Sequence, residues 1–239
     1  MLPVFSLFFE LPVAIGATAL VHFSNNVFKF FLVRKDIDKK VFLSFGLPAI
    51  GAAFFGGLML SFIEGEGSLA QYNIGDKQFT ITWLNLSIGT LMILFALFDL
   101  NPKLKQTQFS RSWLPFGGVL SGFFGGFSGH QGAFRATFLT KAGLSKEAFI
   151  ATSNAVSLLV DLMRMSVYFY AAFALTSNDS SILEVLQHNR TLLIIAVLFA
   201  FCGTYFGKKL VKKTTIKSIQ SIVGIFLLIM GLLIGLGII

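Results

Sequence analysis

The sequence predicts an all-α integral membrane protein. Its expected architecture is two inverted-topology repeats of spanning helices, with a re-entrant glycine-rich hairpin in the second. Three observations lead there: long apolar runs, an alternation of basic and acidic connectors, and one glycine-dense stretch that upsets the count of crossings. The chain has 239 residues, of which 55% are hydrophobic and 13% charged, and its mean hydropathy is +0.79.

The clearest run is Val41–Ile63, which is uncharged. A spanning helix needs ~20 mostly apolar residues, and lipid offers no partner for open backbone groups, so helices are the expected form. Similar runs cover Phe79–Leu100, Lys146–Leu175, Thr191–Leu210 and Ile219–Ile239, and Ala19–Val33 is apolar at both ends around a polar middle. A barrel would instead show short alternating segments. The first residues lack the basic region and cleavage site of a signal peptide. Cys202 is the single cysteine, so no internal disulfide forms. The net charge of +8 is accounted for by basic loops held on the cytoplasmic side, and no nucleic-acid partner is read from it.

Charge placement orders the connectors. Arg34–Lys40 is basic, Glu64–Gln78 acidic, Asn101–Ser112 basic, Ser177–Arg190 mildly acidic, and Lys208–Lys217 strongly basic. Lys and Arg mark cytoplasmic loops, giving in, out, in, then out, in. Between Ser112 and Ser177 lie two apolar pieces, Trp113–Thr140 and Lys146–Leu175, joined by KAGLSK. Two full crossings would return the chain to the wrong side. The consistent solution makes Trp113–Thr140 re-entrant, turning at GFFGGFSGHQG (122–132). Glycine weakens helices by about 1 kcal/mol relative to alanine and permits sharp turns. The alternative is an ordinary span whose glycines admit close helix neighbours.

A repeat follows. Ala14, Ala17 and Thr18 match Ala148, Ala151 and Thr152 at one constant offset, on helices expected to run in opposite directions, the signature of inverted-topology repeats. Val41–Ile63 then pairs with Thr191–Leu210, and Phe79–Leu100 with Ile219–Ile239. Residues 1–100 are expected to form the first membrane repeat; its matching glycine hairpin would precede Met1, so either this repeat is abbreviated at its N-terminus or the true start is earlier. Residues 101–112 form a cytoplasmic linker and residues 113–239 the second repeat.

Polar residues inside the spans are the candidate site, since ionisable groups there face a bundle interior or a wet path. His22, Asn26 and Lys29 recur at i, i+4, i+7 with Asn25 beside them. They border a cavity, or else bond between helices while Lys29 snorkels to the interface. Arg135, Gln131, His130, Ser128, Gly129 and Gly132 surround the expected bend, where a half-helix N-terminus favours an anion. Gly125 and Gly126 shape the bend. Asp161 and Arg164, at i, i+3, are expected to pair. Thr18, Thr152, Ser153 and Asn154 either bond between helices or line the cavity. No metal or cofactor is expected.

The stretches GHQGAFRATFLTKAGLSKEAFIATSNA and HFSNNVFKFFLVRKDIDKKVFLSFGLPAIGA resemble the TauE/SafE family of sulfite exporters, over nearly the whole chain. The resemblance implies a secondary transporter of small sulfur-containing or organic anions, with two inverted halves around a central site and a multi-pass place in the plasma (inner) membrane. Gly125, Gly126, Gly129, Gln131, Gly132 and Arg135 fall in the family's glycine-rich segment of the second half. The family usually has a comparable segment opening the first half, and this chain lacks it. GFSG at 126–129 raises an enzyme alternative, an intramembrane serine protease of rhomboid type, for which Ser128 needs a nearby base; His130, two residues on, does not face it on a helix and would serve only through an irregular turn. An anion channel and a non-transporting assembly partner are the remaining readings.

Overall fold

The computed structural model describes residues 1–64, 66–101, 109–140, 142–175, 187–210 and 216–239. The basic residues Lys103, Lys105, Lys141, Lys212 and Lys213 and the acidic residues Asp179 and Glu184 lie outside them. The chain opens with a short helix α1 (Leu2–Phe5), then α2 (Leu11–Val33) and α3 (Lys39–Glu64). Two strands follow, β1 (Ser68–Ile74) and β2 (Lys77–Thr82), leading into α4 (Trp83–Leu100). The second half contains α5 (Leu114–Ser128), α6 (Gly132–Leu139), α7 (Lys146–Leu175), α8 (Arg190–Leu210) and α9 (Ile216–Gly235). Segments Leu11–Asp36, Lys39–Glu64 and Lys146–Tyr170 are each long and apolar enough to cross a membrane. α4, α8 and α9 contribute shorter apolar stretches. This is a multi-pass membrane protein, largely helical as expected.

The β-hairpin corrects the purely helical expectation. Ser68–Ile74 of the acidic connector pairs antiparallel with Lys77–Thr82, which reaches into the Phe79–Leu100 run, with Ile74 opposite Lys77 and Tyr72 opposite Phe79. Gly75 takes the left-handed φ of 60° that the two-residue turn requires. Alternation in QFTIT was the available signal. Tyr72 stacks on Phe79 at 5.5 Å and donates from its hydroxyl to the Leu236 carbonyl at 2.7 Å, fastening the hairpin to the end of α9. Helix α4 therefore begins only at Trp83. Thr82 caps it by accepting from the Asn85 amide at 3.0 Å, which satisfies one of the open amides of a helix start.

Small residues set the helix packing. Lipid is as apolar as leucine, so association in a membrane relies on close van der Waals contact rather than on expulsion of water. Gly118, Gly122 and Gly126, four apart on α5, lie so close to Phe45, Ala49 and Ala53 of α3 that an added Cβ would overlap the facing backbone carbonyls. Gly56 reciprocates against the carbonyl of Phe123. Gly89 of α4 meets Gly231 and Gly235 of α9 in the same way. These contacts fit the glycine pattern only at backbone-to-backbone distance.

The segment Trp113–Thr140 breaks where the glycines cluster. α5 ends at Ser128, Gly129 adopts a φ of 77°, and α6 begins at Gly132. At 1.5 Å per residue the limbs are ~22 and ~12 Å long, each less than the ~30 Å hydrocarbon thickness. Contacts run in opposite order along them. Phe124 stacks on Phe134 at 5.3 Å, Gly117 lies against the Phe138 ring, and the Ser121 hydroxyl donates to the Gln131 carbonyl at 3.0 Å. The limbs thus form an antiparallel helical pair.

Around this pair, α2 packs on α7 and α4 on α9, while α3 packs on α7 and α8 on α2. Asp38 fixes the turn between α2 and α3. Its carboxylate accepts from the Val41 amide at 2.9 Å, and its own amide donates to the Thr152 hydroxyl at 3.0 Å.

Candidate functional site

The site grows from one buried ion pair. Asp161 and Arg164 lie one turn apart on α7, and an Arg164 Nη2 to Asp161 Oδ1 distance of 3.2 Å joins them at 1–2% exposure. Burial of two charges is tolerated only with close pairing and further hydrogen bonds. Asp161 has both. Asn26 of α2 donates to its Oδ2 at 2.6 Å, and Gln131, at the break before α6, donates to its Oδ1 at 3.3 Å. Three separate parts of the chain thus meet on one carboxylate.

The network continues outward. Gln131 Oε1 accepts from Arg135 Nη1 at 3.0 Å, and Arg135 Nε donates to the Ser153 hydroxyl at 2.7 Å. On the other side, Asn154 donates to Asn26 Oδ1 at 3.2 Å. Arg164 thus meets Asp161 directly and Arg135 reaches it through Gln131, so two guanidinium groups converge on one carboxylate. Three buried polar atoms, Thr18 Oγ1, Asn154 Oδ1 and Arg164 Nε, find no hydrogen-bond partner among the described residues.

The local sequence explains the arrangement. Gly129 ends α5 in a left-handed conformation, and Arg164 Nη1 lies against the position its Cβ would occupy. Any side chain there would meet both backbone strain and the guanidinium. The turn lets Gln131 reach inward while Arg135, one turn into α6, stays beside it. Gly125 packs against Val160 and Gln131. Gly126 packs against Ala53 and, through its carbonyl, accepts from the Tyr168 hydroxyl at 2.7 Å. Gly132 is exposed at the head of α6.

The structure divides the residues expected on one face of α2. Asn26 points to Asp161. Asn25 instead accepts from the Thr204 hydroxyl of α8 at 2.8 Å. Asn25, Lys29 and Thr204 line a cavity of about 830 Å³ between α1, α2 and α8. His22 is half-buried and makes no hydrogen bond among the described residues.

Ser128 and His130 are brought together by the irregular turn, with His130 Nδ1 3.3 Å from Ser128 Oγ. The same ring nitrogen lies 3.1 Å from the Ser128 carbonyl, and the Ser128 hydroxyl donates to the Phe124 carbonyl at 3.1 Å. The ring stacks on Phe95 at 5.3 Å. Among the described residues no carboxylate bonds to its other nitrogen. A nucleophile needs a base that is itself oriented, so this contact reads as a capped turn rather than an activated serine.

Sequence reasoning placed Ser153 and Asn154 only as general polar residues near a helix start. It missed Tyr168 and Thr204. Tyr168 lies seven residues after Asp161 and four after Arg164 on the same helix face, a spacing that would have revealed it. Thr204 carried no such signal, because it stands as a lone hydroxyl in an apolar run.

The family model described as "Sulfite exporter TauE/SafE" matches residues 1–234. No curated protein and no solved structure matches the chain.

Proposed function

From the premise that this chain belongs to the TauE/SafE family of sulfite exporters, membrane transporters of sulfite or related anions, we propose that the Arg135–Gln131–Asp161–Arg164 cluster is where the anion binds. The observation that carries the reading is the convergence of two arginines on the single carboxylate of Asp161 beside a helix break. Arg135 presents its remaining N–H groups, and the first amides of α6 have no helical acceptor. Both favour an oxyanion. Asp161 acts as the internal counter-ion of the empty site. An arriving anion competes with it for Gln131 and the arginines.

The proposed cycle uses two inverted halves. The pairing of α2 with α7, of α4 with α9, and of α3–α7 with α8–α2 is the set expected when equivalent helices are related by a two-fold axis in the membrane plane. The antiparallel limbs α5 and α6 act as the re-entrant hairpin, with 101–112 as the cytoplasmic linker. Asn26 and Asp161, one from each half, tie the halves together at the site. Rocking of one half against the other exposes Arg135 alternately to either side. The substrates proposed are sulfite, sulfonates and related sulfur-containing or organic anions, and the location is the plasma (inner) membrane.

Flux of sulfite, a sulfonate and a carboxylate into proteoliposomes, with and without a proton gradient, tests the proposal. A hydrogen bond to a charged group contributes about 1.5–3 kcal/mol, so Arg135→Ala should lower the apparent anion affinity by about 10- to 150-fold. Arg135→Lys should recover part of it. Unchanged flux in the alanine variant removes Arg135 from the site. Flux that saturates in the wild type and accelerates with counter-anion on the far side indicates a carrier rather than a channel.

A further inference from the structure

Asp161 stands midway along α7, whereas every other acidic residue among the described ones lies at a helix end or in a connector. It meets Arg164 directly and Arg135 through Gln131. Two guanidinium groups and one carboxylate leave one unit of positive charge at the cluster. Arginine is not deprotonated in proteins, so that surplus is fixed.

The neighbouring ionisable groups are engaged elsewhere. His130, at the helix break, contacts the Ser128 carbonyl and stacks on Phe95. Tyr168 of α7 donates to the Gly126 carbonyl. On α2, Lys29 lines the space towards α8, and His22 makes no hydrogen bond among the described residues. None of these four bonds to Asp161, Arg135 or Arg164 among the described residues. Helix α3, which also packs on α7, carries ionisable residues only at its ends, Lys39, Lys40 and Glu64.

Burial turns this charge count into a selection rule. The side chains of Arg164 and Asp161 are 1–2% exposed, and Gln131 is buried beside them. A charge in such surroundings is costly unless it is balanced. An oxyanion with one negative charge brings the cluster to neutrality. One with two reverses the sign of the cluster and sets its second charge against the Asp161 carboxylate, a like-charge contact that disfavours the wrong partner. Arg164 Nε has no acceptor among the described residues, so the carboxylate leaves part of this guanidinium for a ligand. Resting on the reading that this cluster holds the transported anion, we propose that Asp161 is a specificity-determining residue. By cancelling one of two arginine charges it confines the site to singly charged oxyanions, sulfonates and hydrogen sulfite, and rejects dianions such as sulfate.

Binding of radiolabelled sulfite to the purified full chain in detergent tests this, with methanesulfonate or sulfate as competitor at constant ionic strength. The pH is kept mildly acidic, where hydrogen sulfite prevails. Both competitors are tetrahedral at sulfur, and they differ by one charge. Methanesulfonate should displace the label at a concentration at least about tenfold lower than sulfate, because an uncompensated like charge at a closed contact costs at least that much. Asp161→Asn should shift the ratio towards sulfate by about tenfold or more, and Asp161→Glu should keep the wild-type ratio. A merely structural role for Asp161 would weaken both competitors together and leave the ratio where it was. If Asp161→Asn fails to fold, the wild-type comparison decides alone. Equal potency of the two competitors on the wild type, or a ratio that Asp161→Asn leaves unchanged, overturns the selection rule while the anion site stands. Wild-type protein that binds no labelled sulfite removes the anion site itself, and this inference with it.

Discussion

Replacing Asp161 with asparagine keeps the side-chain volume and one carbonyl acceptor but removes the charge. Arg164, at 1% exposure, then loses its 3.2 Å partner and is left as a buried cation without a carboxylate. Breaking a buried pair by removing one member costs about 3–5 kcal/mol. For a chain of this size each kcal/mol shifts the melting temperature by about 2–4 °C, so Asp161→Asn should melt about 6–20 °C lower in detergent. Arg164→Met on the asparagine background relieves the stranded cation. The double variant should therefore be more stable than the sum of the singles by about 0.5–3 kcal/mol. Sulfite added to Asp161→Asn should raise its melting temperature more than it raises that of the wild type, because the anion supplies the missing charge. Additive single effects, with no differential response to sulfite, would refute both the counter-ion role and the coupling of the pair.

Other expectations follow from separate contacts. Gly122→Val places a side chain against the Ala49 carbonyl, and overpacking of about 1–3 kcal/mol should appear as a lowered melting temperature, while Gly203→Val, open to the cavity, should be milder. Impermeant thiol labelling of cysteines introduced at the exposed Ser145 and Glu147, in a Cys202→Ser background, should proceed only from the cytoplasmic side. Labelling from the opposite face would remove the re-entrant arrangement. Ser128→Ala loses the hydroxyl's contacts with the Phe124 carbonyl and His130 Nδ1, so anion flux should change by less than about tenfold, and no peptide-bond cleavage should depend on it.

The long helices were legible because their signal is local. An uncharged run such as Val41–Ile63 admits few structures in lipid, whatever surrounds it. The helix break was legible too, since five glycines between Gly122 and Gly132 weaken a helix wherever it lies. The i, i+3 pair of Asp161 and Arg164 needed only helical geometry. The hairpin after α3 was obscured because KQFTIT leads without punctuation into an apolar helix, so its alternation merged with the run that follows. Asn25 and Asn26 show the other limit. Adjacent in sequence and alike in chemistry, they point to α8 and α7 respectively, and only tertiary contacts with Thr204 and Asp161 distinguish them. Ser153 likewise gained meaning only when the turn at Gly129 brought Arg135 to it.

The fate of glycine on α5 and of charge on α2 follows from one constraint. A chain crossing lipid gains little from burying more apolar surface, so affinity between helices must come from closeness or from polar contact. Around α3 the solution is closeness: Gly118, Gly122 and Gly126 bring two backbones into contact, and no polar side chain is needed at that seam. Between α2 and α7 the solution is polar. Asn26, Asn154, Asp161 and Gln131 connect through hydrogen bonds of 2.6–3.3 Å. A seam of the first kind is rigid because any added atom disrupts it. One of the second kind can exchange partners, since an incoming anion satisfies the same donors that the carboxylate satisfied. The site proposed for the anion lies at the exchangeable seam and is braced by the rigid one, with Gly125 and Gly126 belonging to both. On this reasoning a variant that loosens the α3–α5 seam, such as Gly122→Val, should weaken anion affinity together with stability. One that alters only Tyr72 at the β-hairpin should change stability alone.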